Sequence, residues 1–249
     1  MSLSAEEGSF MASIINVYDN YQAETGLATG WGFGCVVRMP ETTVLFDTGG
    51  GNRVLLDNMR ILGIDPEEID VVVLSHNHGD HTGGLEGFLA ENGDVDVYVP
   101  KSFPARMQRR VEKHGARYYP VTSHIRIAKN VYLTGEMGRA IHEQALVLRC
   151  ACGTVVITGC AHPGIVDMVQ RAAEILPGQE ICLVMGGFHL SGASHQHLQE
   201  IVDAFRSLGV KQTAPSHCSG DLCRELFKNE YGDSFISGGV GRIIELQVK

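Results

Sequence analysis

Short runs of apolar residues alternate with turn residues and with helical repeats along the whole chain. Ile14-Ile15-Asn16-Val17-Tyr18, Gly34-Cys35-Val36-Val37 and Thr43-Val44-Leu45-Phe46 predict early strands, each closed by polar or glycine residues. From Asn52 to Leu62 the positions Val54, Leu55, Met59 and Leu62 have helical spacing, and the pattern stops before Gly63. Asp70 to Leu74 predicts a buried, β-branched strand that runs straight into a histidine-rich segment, and Val95 to Val99 predicts another. The second half repeats this alternation, with strands at 131–133, 145–150, 154–158 and 181–185, and helices at 165–176, 197–208 and 222–230. Pro177-Gly178 ends the first of these helices and Gly209 the second. No Ser/Pro linker or low-complexity block divides the chain. The economical expectation is one domain over residues 1–249, made of two similar αβ halves with two sheets face to face and helices outside.

Composition narrows the class. At 249 residues the chain can bury a substantial core, and 44% apolar with 20% charged residues is ordinary for a globular protein. No apolar run approaches the roughly 20 residues a membrane span needs. The start, with Glu6 and Glu7 before a short apolar stretch, lacks the basic opening of a signal peptide, so the cytoplasm is the default expectation. Seven cysteines, most inside apolar runs, predict reduced core thiols rather than a disulfide framework, and Cys150-Ala151-Cys152 reads as alternate positions on one strand. A net charge of −9 disfavours nucleic acid as a partner, because binding it depends on neutralising phosphates. Arg106, Arg109, Arg110, Lys113 and Arg117 form a local basic cluster, read as the solvated face of a helix, with contact to an anionic substrate as the sharper alternative.

The chemistry concentrates in Ser75-His76-Asn77-His78-Gly79-Asp80-His81-Thr82-Gly83-Gly84. His76 and His78, two apart at a strand end, direct their imidazoles to one side; Asp80 and His81 follow where the chain turns toward a helix near Leu85. Imidazole with carboxylate suits zinc, and also iron or manganese. One histidine here would pass as a solvated loop residue, but this density after Val71-Val72-Val73-Leu74 does not. His162, His189 and His217 each follow a further strand, whereas His114, His124, His142, His195 and His197 lack that context and read as surface or helix histidines. Asp47, one strand away, is placed to accept an imidazole N–H and fix its tautomer, and equally to form the turn before Gly49-Gly50-Gly51. That glycine run lacks the lysine of a phosphate loop, and Gly238-Gly239-Val240-Gly241 lacks dinucleotide-fingerprint spacing and reads as a turn into the last strand.

His76 to His81 resembles the HxHxDH signature of the metallo-β-lactamase superfamily, and Asp47-Thr48-Gly49 resembles its upstream DTG turn. Gly159-Cys160-Ala161-His162-Pro163-Gly164-Ile165, Gly186-Gly187-Phe188-His189-Leu190 and Ser216-His217-Cys218-Ser219-Gly220 resemble a branch that includes the dihydropterin:ribofuranosylaminobenzene-phosphate synthase-like proteins. The resemblance implies an α/β fold, a four-layer αββα sandwich with the site at one edge. It implies His76, His78 and His162 on one metal, and Asp80, His81 and His217 on a second. The aspartate that bridges the metals in much of the superfamily is expected at the strand ending in Gly186-Gly187, where Phe188 and His189 stand instead. Either His189 is a ligand, or the centre is mononuclear or holds its second metal weakly. Branch members often carry a Glu-His-Gly-like segment before the first hairpin. Here Ala28 to Gly34 replaces it, with Trp31 and Phe33 able either to stack on a ligand ring or to pack on the sheet edge.

The leading functional expectation is a metal-dependent hydrolase or group-transfer enzyme acting on a small phosphorylated or anionic metabolite, through hydroxide on zinc, one or two ions. Asp80 and His81 are the expected catalytic residues, with Asp80 orienting the hydroxide. The alternative is a synthase-like transferase, in which the same centre stabilises charge as pyrophosphate leaves. Iron redox chemistry, a ligand sensor and a nuclease rank lower. The iron reading lacks a carboxylate at His78 and the bridging acid, the donor array exceeds what a sensor needs, and the acidic charge opposes a nuclease.

Overall fold

A computed structural model of the chain describes residues 10–248, so the Glu6-Glu7 start lies outside the described residues. From the N-terminus come β1 (Phe10–Asp19), β2 (Phe33–Met39), β3 (Thr42–Phe46), α1 (Asn52–Ile61), β4 (Val71–Val73), α2 (Gly79–Thr82), α3 (Leu85–Glu91), β5 (Asp96–Pro100), α4 (Ala105–Glu112) and β6 (Arg117–Val121). Then follow β7 (Ser123–Ala128), β8 (Val131–Gly135), β9 (Leu146–Cys150), β10 (Gly153–Thr158), α5 (Ile165–Ile175), β11 (Ile181–Gly187), α6 (His195–Ser207), β12 (Gln212–Ser216), α7 (Asp221–Tyr231) and β13 (Ile243–Val248). A seven-stranded sheet has the order β13-β1-β2-β3-β4-β5-β6, and a six-stranded sheet the order β12-β11-β10-β9-β8-β7.

The sequence pattern dictates three apolar layers. β4 shows how: Val71 and Val73 join the cluster between the sheets, while Val72 and Leu74 join the cluster under α1, α3 and α4. A strand buried on both faces has no polar positions to alternate, so it reads as a continuous apolar run. Between the sheets, Val37, Phe46 and Val73 meet Leu133, Leu146, Ile157 and Met185. Outside the second sheet, Val156 and Val184 carry Met168, Leu198, Phe205 and Phe227 from α5, α6 and α7. Each such side chain contributes on the order of 1.5–3 kcal/mol when fully buried. The architecture is the expected α/β sandwich of two sheets flanked by helices. Among the described residues no helix is long and apolar enough to cross a membrane.

Two sequence expectations need correction. Cys152 forms a disulfide with Cys182, with Cα atoms 5.7 Å apart, so the seven thiols are not all reduced. The reason is local: β9 ends at Cys150, and Ala151 and Cys152 form the turn into β10. Cys150 is therefore buried in the inter-sheet layer, while Cys152 is exposed beside the start of β11. β6 and β7 gave no strand signal because their side chains are mostly exposed, at the outer edge of each sheet. The basic cluster lies on and just after α4, where Arg110 and Lys113 pair with Glu86 and Arg117 pairs with Asp94 and Asp96, as a solvated face does.

Candidate metal centre

β3 runs parallel to β4 in the first sheet, and β10, β11 and β12 are mutually parallel in the second. Parallel strands end together, so the side chains just past their carboxyl ends collect at one edge of the sandwich. That edge receives Asp47 from β3, Ser75 to His81 from β4, Gly159 to His162 from β10, His189 from β11 and His217 from β12. Among the described residues, four of the five non-glycine positions with positive φ lie here: Asp47 (57°), Ala161 (61°), His189 (53°) and His217 (50°). Backbone held in this sparsely populated region marks places where surrounding structure over-determines the chain, and such places cluster at functional sites.

The sheets close tightly around the site at two glycines. A Cβ on Gly159 would run into Ser75 Oγ and stand 2.8 Å from Asp47 Oδ2. A Cβ on Gly187 would run into the Gly159 carbonyl and stand 2.8 Å from Cys218 Sγ. The position where a bridging carboxylate was expected from the sequence therefore has no room for a side chain. The next residue, Phe188, points the other way, into an aromatic cluster with Phe205 and Phe227.

The expected ligands come together. His76 Nε2 lies 3.0 Å from His78 Nδ1, and the His162 ring lies 4.8 Å from that of His76 and 4.9 Å from that of His78. The His81 and His217 rings are 5.0 Å apart, and Asp80 Oδ2 lies 3.7 Å from His81 Nε2 and 3.4 Å from His217 Nε2. His189, exposed, sets its ring 4.3 Å from that of His162 and tilted to it, but its donor atom groups with Cys160 and Cys218 rather than with either histidine set. Trp31 is 60% exposed with its ring 5.0 Å from that of His217, whereas Phe33 is buried against Phe46, so the two aromatics part company. The other five histidines lie outside this cluster; His142 pairs with Glu136 and His197 with Glu200.

Buried hydrogen bonds hold the donors in place. Asp47, fully buried, accepts from the Ser75 N–H (2.7 Å), the Ser75 hydroxyl (2.7 Å) and His81 Nδ1 (2.7 Å). Because Ser75 gives its proton to Asp47, its oxygen accepts from His76 Nδ1 at 2.8 Å. Asp47 thereby leaves Nε2 of both His76 and His81 free to face the cluster. Asn20 Oδ1 lies 2.8 Å from His217 Nδ1, and Asp19 accepts the His217 N–H. Glu143, buried, takes the amides of Gly159 (3.1 Å), Cys160 (2.9 Å), Ala161 (2.9 Å) and His162 (2.9 Å), so one carboxylate shapes the whole loop after β10.

The electrostatics suit a cation. Burial, then the surrounding imidazoles, hold His76 far below the usual histidine range. Burial, then His189, brings His162 down to about 4. Burial alone would raise Asp80, but His217 and His81 hold its carboxyl well below the usual range. These donors are unprotonated at neutral pH, the state that binds metal. His162 Nε2 is buried without a hydrogen-bond partner, and His217 Nε2, also buried, makes no well-formed hydrogen bond and has only the Asp80 carboxylate 3.4 Å away. Leaving a buried polar atom unsatisfied costs about 1–3 kcal/mol, a cost that a bound cation removes, so the donor set fits a metal.

The family model for the metallo-β-lactamase superfamily matches residues 35–168, more than half of the chain. The chain belongs to the metallo-β-lactamase superfamily. Membership implies a metal centre, usually of zinc. A relative from Methanocaldococcus jannaschii, 7,8-dihydropterin-6-methyl-4-(β-D-ribofuranosyl)-aminobenzene-5′-phosphate synthase, is 29% identical over 81% of this chain and 84% of its own length. The crystal structure of Tm1679, a metal-dependent hydrolase of the β-lactamase superfamily, is 29% identical with a TM-score of 0.79, covering 94% of this chain and 98% of that one. A diphosphatase of the PhnP family shares the fold, with a TM-score of 0.64 at 16% identity over 97% of this chain and 99% of its own.

Within this metallo-β-lactamase frame, sequence reasoning missed Cys160, Cys218, Glu143 and Asn20. Cys160 Sγ lies 3.2 Å from His81 Nε2 and belongs to every candidate donor group in the described residues. Its signal was a cysteine directly past a strand end and two residues before a histidine. Cys218 Sγ lies 3.7 Å from the Cys160 carbonyl, and contact between the two thiols holds Cys218 below the usual cysteine range while the same contact, with burial, pushes Cys160 up.

Proposed function

We propose that this chain is a metal-dependent enzyme that acts on a small phosphorylated or anionic metabolite by hydrolysis or group transfer. His76, His78 and His162 hold one cation; Asp80, His81 and His217 hold a second. The reading rests above all on two buried imidazole nitrogens without a well-formed hydrogen bond, of His162 and His217, set among a buried cluster of further donors. Because donors come from both sheets, residues of the two αβ halves act as one domain. Zinc fits the nitrogen-rich set best.

A bound divalent cation supplies Lewis-acid polarisation of a substrate oxygen and makes a water acidic enough to react near neutral pH. The protein's own groups do the rest. Asp47 and Ser75 orient the imidazoles of His81 and His76, and Glu143 fixes the loop that presents His162. Asp80, half-buried between His81 and His217, stays ionised and orients the attacking oxygen as well as ligating. A cleft of about 470 Å³ lined by His162, Asp167 and Arg139 offers substrate an approach, with the Arg139 guanidinium suited to an anionic group.

The test is turnover of bis(p-nitrophenyl) phosphate and of inorganic pyrophosphate by protein stripped with chelator and reloaded with zinc. Stripping should abolish activity and zinc restore it, and His78→Ala and Asp80→Ala should each lose at least about 10³-fold in kcat/KM, on the order of 4 kcal/mol. Full activity in the stripped protein or in both variants would overturn the reading. The synthase-like relative, matched over most of both chains, favours group transfer as the second reading. Pyrophosphate released only when an aromatic amine acceptor accompanies a pterin pyrophosphate would select it over hydrolysis.

A further inference from the structure

A thiol stands where the two donor sets meet. Cys160 groups with His76 and His162, and again with His81 and His217, the donor atoms of each group lying within 4.8 Å of one another. It is 4% exposed at the end of β10, and its amide, like those of its neighbours, is fixed by Glu143. Its place is therefore set by the fold rather than by a free loop.

Among the described residues no carboxylate competes for this place. Asp47 is committed to Ser75 and His81, and Glu143 to four backbone amides. Asp80 faces the His81 and His217 side. The last residue of β11, Gly187, cannot carry a side chain into the gap, because the space beside it is filled by the Gly159 carbonyl and Cys218 Sγ, and His189 beyond it reaches Cys160 and Cys218 rather than either histidine set. A protein donor between two cations held by neighbouring sets would tie them together, and the sulfur of Cys160 is common to both groups.

Resting on the metal-enzyme reading above, we propose that Cys160 is the ligand shared by the two cations, its thiolate taking the place of a bridging carboxylate. On metal binding the S–H proton leaves to solvent, and two sulfur lone pairs form one bond to each cation. Cys218 touches Cys160 and His189 without entering both sets. A bridging thiolate also sorts metals: it favours zinc or cobalt over manganese, whose preference is for oxygen.

Cobalt(II) titrated into the stripped protein tests this, since a sulfur–cobalt bond produces a charge-transfer band in the near ultraviolet. The expected result is two cobalt ions per chain by elemental analysis, with the band growing through both equivalents. Cys160→Ser should lose the band, Cys218→Ser should keep it, and Cys160→Asp should hold two ions without it. Two ions bound with no band, a band that saturates at the first equivalent, or an unchanged band in Cys160→Ser would overturn the bridge. Absence of any stoichiometric cobalt in the wild type would instead sink the metal-enzyme reading with it. Far-ultraviolet circular dichroism confirms that each variant is folded, and if Cys160→Ser is not, Cys160→Asp and Cys218→Ser together still tell which thiol gives the band.

Discussion

Residues 76–81 bring four donors to the centre within six consecutive residues, whereas Cys160, His162, His189 and His217 arrive from the ends of three separate strands. The first group needs only β4 and one short helical turn to be placed. The second needs β10, β11 and β12 to be in register, and each of its donors sits at or next to a backbone residue of positive φ. Their supports differ accordingly. Asp47 holds the first group through side chains, by way of Ser75 and His81, while Glu143 holds part of the second through four backbone amides. A contiguous motif can be tuned by one buried carboxylate touching rings; a dispersed one needs the chain itself to be held.

That contrast predicts where damage will be largest. Glu143→Ala leaves four backbone N–H groups of the β10 loop without their acceptor in a buried place. With unsatisfied buried groups costing about 1–3 kcal/mol each, and relaxation recovering part of the total, the expected loss is on the order of 3–5 kcal/mol. Thermal unfolding should show it as a drop of roughly 6–20 °C in Tm. Glu143→Gln should cost much less, because its amide oxygen can keep the Gly159, Cys160 and Ala161 contacts and only the His162 N–H meets a donor. Equal Tm values for the two variants would mean that the amide cradle is not what Glu143 provides.

An intermediate effect is expected at the first group. In Asp47→Asn the amide NH₂ either meets the Ser75 N–H, donor against donor, or faces His81 Nδ1 and forces that ring to carry its proton on Nε2, the atom that faces Cys160 and Asp80. Such a ring cannot ligate without first changing tautomer. Loss of an orienting partner of this kind typically costs about 10–100-fold in metal affinity, or roughly 1.4–2.7 kcal/mol. Competition with a chromophoric chelator reads it directly. Unchanged affinity, with Tm falling instead, would assign Asp47 to the turn and not to the rings.

The same contrast explains what the sequence revealed. Val71 to Leu74 was legible as a strand because both faces are buried, and β6 and β7 were not because exposed edge strands have no apolar pattern to display. The histidines were legible through density or through position after apolar runs. Cys160 was hidden by those same runs, since a cysteine after Val155-Val156-Ile157 reads as one more core thiol, and only the position of its sulfur among the imidazoles sets it apart. Glu143, one acid ahead of Ala145 to Cys150, looks solvated until four amides are found pointing at it. Asn20 lies far along the chain from His217, so nothing in spacing could have joined them.

Asn20 supplies the smallest and sharpest probe of the dispersed group. Its Oδ1 accepts from His217 Nδ1 at 2.8 Å and its Nδ2 donates to the His217 carbonyl at 3.3 Å. Asn20→Ala removes both bonds, but His217 keeps its backbone bond to Asp19 and the Trp31 ring beside it. Asn20 is only half-buried, so water can reach the space left behind and replace part of what is lost. The net cost should be about 1 kcal/mol, less than tenfold in affinity for the second cation, with the first cation unaffected. Stepwise metal titration separates the two equivalents. A weakening of both, or of the first alone, would show that the two donor sets are not divided as proposed, and that His217 serves the same ion as His76.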